Sequence, residues 1–124
     1  MKTIALTSVL LLASLASCRT IDCMTNSEPL KAAANQLVND VSVAALDVPE
    51  AKVLVDQIRA DFDAKDWEHL AVDAFALGKL IQNNAVVYDD CRNFLRVANE
   101  VRIECNGKKL AAGQSAQLSL PPRN

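Results

Sequence analysis

The chain has little of what sharp backbone turns and catalytic loops are made from: three glycines and four prolines in 124 residues. There is no Gly-rich phosphate loop, no Gly-x-Ser-x-Gly and no His-Glu-x-x-His. The one histidine, His69, has no serine or cysteine at a spacing that marks a catalytic pair. Basic residues are scarce too, with 13 Lys and Arg against 15 Asp and Glu for a formal net charge of −2. No basic stripe exists for a phosphate backbone to lie on, so nucleic acid is not an expected partner. After the first sixteen residues no apolar run approaches the roughly 20 residues that a membrane span needs. No Asn-x-Ser/Thr sequon occurs, so no N-linked glycan is expected. These absences predict a non-enzymatic chain with no catalytic set, no cofactor and no metal.

What is present begins at the N-terminus. Lys2 precedes an uncharged run from Thr3 to Cys18 whose apolar centre, Val9 to Leu12, gives way to small residues. That is the layout of a secretory signal peptide, with Ser14 and Ala16 suited to a cut after Ala16. Residues 1–16 are therefore expected to be removed, and the protein to be secreted. The remainder is long enough for one domain with a modest core. Leu15-Ala-Ser-Cys18 also resembles the recognition run of bacterial lipoproteins, which implies the alternative of a membrane-tethered protein acylated at Cys18.

Four amphipathic segments follow an N-terminal arm, residues 17–26. Ser27 can cap a first helix, with Pro29 in its first turn and Leu30, Ala33, Ala34, Leu37, Val38, Val41, Ala44 and Ala45 on one face. Pro49 ends it near Asp47. Asp47 and Glu50 have the spacing of a capping box for a second helix, striped by Ala51, Leu54, Val55, Ile58 and Phe62. Asp66 can cap a third, with Trp67, Leu70, Ala71, Ala74, Phe75, Gly78 and Ile81 aligned. Asn83-Asn84 breaks the pattern. A fourth helix then carries Val87, Tyr88, Cys91, Phe94, Leu95, Ala98, Val101 and Cys105, with Asn106-Gly107 as its stop. A faint repeat of 33 residues matches Leu37 with Leu70, Asp40 with Asp73, Val53 with Val86, Asp56 with Asp89 and Arg59 with Arg92. The expectation is an all-α, antiparallel four-helix up-down bundle of two helical hairpins over residues 27–107, with a flexible or loosely docked C-terminal tail at 108–124.

Four cysteines, Cys18, Cys23, Cys91 and Cys105, predict two disulfides in an exported chain. On a continuous helix Cys91 and Cys105 stand about 21 Å apart, and a disulfide needs Cα atoms within about 7 Å. Both must then reach back to the N-terminal arm. In an up-down bundle the last helix ends at the pole where the first begins. Cys23, just before the first helix, is thus expected to meet Cys105, leaving Cys18 for Cys91. The crossed pairing is the alternative.

The aromatic residues Phe62, Trp67, Phe75, Tyr88 and Phe94 fall on or beside the apolar stripes. They are the candidates to line a cavity for a small hydrophobic ligand, against the plainer role of filling the core. The acid-rich run Asp61 to His69 lacks the glycine and terminal Glu of a calcium loop and reads as an interhelical turn. Gly107-Lys108-Lys109 resembles an amidation and cleavage signal, against the plainer and preferred reading of a helix stop with two solvated lysines. The functional expectation is a secreted binding protein for a small hydrophobic ligand or a partner protein. The alternative is a structural or assembly subunit of an extracellular matrix or surface layer, with homo-oligomers open in either case.

Overall fold

The computed structural model describes residues 22–105 and 118–123. The expected signal peptide, Cys18 and the Gly107-Lys108-Lys109 run lie outside those residues. Four helices make the domain: α1 Glu28–Val43, α2 Pro49–Asp63, α3 Trp67–Leu80 and α4 Ala85–Cys105. Residues 22–25 add one helical turn before α1.

Helix boundaries follow the local chemistry. The Ser27 side chain accepts the Leu30 N–H at 3.3 Å, and Pro29 sits in the first turn, where its missing N–H is harmless. Asp66 caps α3 by accepting the His69 N–H at 3.2 Å, and Asn84 does the same for the Val87 N–H at 3.1 Å ahead of α4. The capping box expected from Asp47 and Glu50 does not form. Pro49 occupies the first helical turn and sets the cap at Val48, which has no capping side chain, so Asp47 falls one residue too early. The α2–α3 turn is closed by two reverse bonds, Asp66 N–H to the Asp61 carbonyl (2.9 Å) and Lys65 N–H to the Phe62 carbonyl (3.0 Å). That Schellman pattern puts Lys65 at φ 55°, a left-handed conformation usually left to glycine.

The helices close a ring: α1 packs on α4, α4 on α3, α3 on α2, and α2 back on α1. This is the expected antiparallel up-down bundle. Leu30, Ala34 and Leu37 of α1, Ala51 and Ile58 of α2, Leu70, Ala74 and Leu77 of α3, and Cys91 and Phe94 of α4 are fully shielded from solvent. Ala71 and Gly78 are buried too, and such small residues let the helix backbones approach closely. Truncating a core leucine such as Leu70 to alanine would cost about 2–5 kcal/mol.

Part of the expected flexible or loosely docked tail lies against the bundle. Residues 118–123 form an extended strap on α3 and α4, with Leu120 buried. It runs antiparallel to α4, because Leu118 bonds Asn99 while Pro121 bonds Tyr88. An apolar Leu-Ser-Leu segment has a groove to fill here, and burying it outweighs the freedom of a loose end. Residues 108–117 of the expected tail lie outside the described residues.

Candidate ligand-binding cleft

One disulfide, Cys23–Cys105, ties the turn at 22–25 to the end of α4, with Cα atoms 5.8 Å apart across 82 residues. This is the expected pairing, and the topology explains it, since α4 ends beside the start of α1. It closes a loop for which chain-entropy models give about 4 kcal/mol. Met24, the next residue, is 3% exposed and anchors the turn in the core.

The pinned turn forms one wall of a cleft of about 510 Å³ at this pole. Met24 and Thr25 face Ala64, Lys65, Asp66, Trp67, Glu68 and His69 across it. Trp67 is the buried floor, packed against Phe62 (ring centroids 6.0 Å apart) and edge-on to Phe94 (6.5 Å). Its indole N–H is buried without an acceptor. Lys65 and the three polar residues 66, 68 and 69 form the rim. Glu68 is held in place by the Arg102 guanidinium of α4, through contacts of 3.2 and 2.9 Å. Arg102 also donates to Asn99 Oδ1 at 3.3 Å. A shallower depression of about 330 Å³ lies at the opposite pole, between the end of α1 and α2, where Arg59 donates to Ser42 Oγ at 3.2 Å.

Charge at the rim is shaped by crowded carboxyls. The Asp61 carboxyl is pushed up to about 7, first by burial and then by the hydrogen-bonded and like-charged Asp73 of α3, with Asp66 adding and His69 opposing. His69 donates from Nδ1 to Asp66, and that bond raises the imidazole above its ordinary value. A second carboxyl pair joins Asp90 of α4 to Asp40 of α1. Asp90 is pushed up to about 7, first by burial and then by Asp40. Asp40 is held below the usual range by its hydrogen bond from Asp90, with Gln36 donating as well at 2.8 Å.

The five candidate aromatics do not converge on one cavity. Phe62, Trp67 and Phe94 cluster beneath the cleft, and of the five only Trp67 lines it. Phe75 is half-buried with the Lys79 ammonium 5.1 Å above its ring. Tyr88 lies on the strap side and donates its hydroxyl to the Pro121 carbonyl at 2.5 Å. The other cleft residues follow from signals that point to turns: Ala64-Lys65 interrupts the apolar stripe, and Asp66 is a cap. Met24 and Thr25 carry no such signal beyond their closeness to Cys23.

Cys91 carries a free thiol, fully buried in the core. The bridge expected for it runs to Cys18, which lies outside the described residues, and Cys91 itself points inward at mid-helix. Burial, and then the charge of Asp90, push this thiol up to about 12. Among the described residues no group of three or more His, Cys, Asp and Glu side chains is arranged to hold a metal ion, and no helix is long and apolar enough to cross a membrane. Comparisons with protein-family models, with curated proteins and with solved structures find no match.

Proposed function

We infer that the chain is an exported, non-enzymatic binding protein that takes a small ligand with an apolar body and a polar end in the cleft at the disulfide pole. The observation that carries this reading is the cleft itself, about 510 Å³ in volume, floored by a buried indole and edged by Lys65, Asp66, Glu68 and His69. Its volume suits a small organic molecule, and a few polar groups around an apolar floor are what orient one. The left-handed Lys65 supports it further, because strained backbone collects at binding sites and glycine would fit this turn more cheaply. His69 is committed to the Asp66 carboxylate at the head of α3, which suits a rim residue better than a catalytic base.

Trp67 is the only tryptophan, so its emission reports on the cleft. Titration with a series of alkyl carboxylates and alkyl alcohols should give a saturable change at one site, weakened when Thr25→Trp fills the cleft. If no member of the series moves the emission saturably, the ligand reading is wrong.

A second reading gains from the thiols. With Cys23 joined to Cys105 and Cys91 serving the core, no core residue requires Cys18 as a partner. Acylation of Cys18, the alternative that Leu15-Ala-Ser-Cys18 implies, would hold the binding domain at a membrane surface. The intact mass of the native exported protein decides it. A chain starting at Cys18 and carrying extra acyl mass supports the anchor, and a mass matching residues 17–124 removes it.

A further inference from the structure

The groove under the strap is built in a way that bundle packing does not require. Three α4 side chains aim donors at the strap's main chain. Tyr88 gives its hydroxyl to the Pro121 carbonyl at 2.5 Å, Arg92 its Nε–H to the Leu120 carbonyl at 3.2 Å, and Asn99 its amide to the Leu118 carbonyl at 3.1 Å. Arg123 of the strap donates to the Gln82 carbonyl at 2.9 Å. Positions 88, 92 and 99 share one face of α4, so one helix reads three carbonyls of the strap, those of residues 118, 120 and 121. Side-chain choice enters at one point. Gly78 of α3 leaves a notch that Leu120 fills, and a Cβ there would lie 2.3 Å from Leu120 Cδ1. Carbonyl contacts together with one apolar notch are how peptide grooves combine affinity with selectivity, and prolines lower the entropy lost by the bound segment.

We propose that the groove between α3 and α4 is a recognition site for an extended Leu-Ser-Leu-Pro segment, held in cis by residues 118–123 and open to the same segment of a second copy of this chain. The strap is joined to its groove without a covalent bond. Twelve residues separate Leu118 from Cys105, a length that spans up to about 40 Å when extended. An exchanged strap has to find the equivalent groove of a neighbouring copy within that reach. Exchange is self-complementary, each copy giving its strap and receiving the other's, as a closed two-fold dimer requires.

The test uses the full chain carrying Leu120→Ala, which empties the notch and leaves every groove residue in place. A fluorescein-labelled peptide of residues 117–124 is the probe. The resident strap competes at an effective concentration in the millimolar range, so the peptide should bind the variant at least about tenfold more tightly than the unaltered chain. Adding Gly78→Val to Leu120→Ala should abolish that binding. The unaltered chain should show a dimer that grows with concentration in sedimentation, and Leu120→Ala should lose it. If Leu120→Ala loses its helical circular dichroism, the unaltered chain is titrated with the peptide and the Gly78 amide resonance is followed, and a saturable shift there supports the groove. A folded variant that binds no peptide, binding that survives Gly78→Val, or a Gly78 resonance that never moves would each overturn the proposal and leave the strap as a fixed cover. Peptide binding by chains that stay monomeric at every concentration would overturn the second-copy occupant.

Discussion

At the scale of single residues, Cys91 shows how one position can satisfy two patterns. Read by cysteine count it belongs in a bridge, and read by helical spacing it belongs with Val87, Phe94, Leu95 and Ala98 on the inward face of α4. The fold resolves this for the core, leaving a free thiol with no solvent contact. The thiolate is the reactive form, and a thiol pushed up to about 12 hardly supplies it at neutral pH. Without reductant, the native chain should therefore leave Cys91 unmodified by iodoacetamide at about pH 8, and urea-unfolded chain should be alkylated there in full. Mass spectrometry of the Cys91 peptide reads the result. Alkylation that appears only after reductant is added would mean that Cys91 is bridged after all, and Cys18 would be the partner to look for.

At the scale of elements, the turn between α2 and α3 sets the cleft and carries a measurable strain. Lys65 occupies the C′ position of a Schellman motif in the left-handed region. A side chain there costs about 1–2 kcal/mol relative to glycine, and glycine gives back part of that through the freedom of its unfolded chain. Lys65→Gly should thus raise stability by about 0.5–1 kcal/mol, seen as a higher urea midpoint at unchanged slope. An unchanged or lower midpoint would mean that the lysine stem packs well enough to offset its backbone. Much of this element structure is legible in the sequence, for specific reasons. Ser27, Asp66 and Asn84 are caps with apolar stripes beginning right after them, and Asn83-Asn84 interrupts a continuous period. The Asp47–Glu50 pair misleads because Pro49 settles the helix start more strongly than a capping carboxylate does. The strap is not legible at all. Six extended residues carry no usable period, and its partners Gly78, Tyr88, Arg92 and Asn99 become neighbours only when α3 and α4 pack. The cleft is legible at Trp67, Asp66 and the Ala64-Lys65 break, but its opposite wall is not, since that depends on where one disulfide holds Met24 and Thr25.

At the scale of the whole molecule, the two carboxyl pairs each tie together helices that are not neighbours within one hairpin. Asp61 and Asp73 join α2 to α3, and Asp90 and Asp40 join α4 to α1. The faint repeat reappears here, because Asp40 and Asp73 are equivalent under the shift of 33 residues and each serves as the outer partner of a pair. In both pairs one carboxyl oxygen, Asp61 Oδ2 or Asp90 Oδ2, is buried with no N–H or hydroxyl donor near it. A proton shared between the two carboxyls supplies the missing donor. Asp61 and Asp90, each pushed up to about 7, hold that proton more tightly in the folded chain than in the unfolded one, where an aspartate titrates near about 4. Between about pH 4 and 7 the folded state therefore binds more protons, and stability falls as pH rises. The stabilisation is complete below the unfolded value and gone once pH passes the folded one. Asp40 runs the other way, with its stabilising effect lost only as pH drops below the carboxylate range. His69, raised by Asp66, loses its contribution as pH climbs through the imidazole range, in the same direction as the raised pair members. Both pairs are partly solvated, so each contributes on the order of 1 kcal/mol. Urea midpoints measured from about pH 5 to 8 should then decline steadily, where a protein stabilised by ordinary ion pairs holds level or rises. Asp61→Asn with Asp90→Asn replaces each shared proton by an amide N–H that does not titrate. The double variant should match the parent near pH 5, exceed it at pH 8, and decline less steeply, with only the His69 contribution left to fade. A parent that grows more stable from pH 5 to 8, or a double variant that keeps the parent's slope, would show that these two seams do not hold their protons.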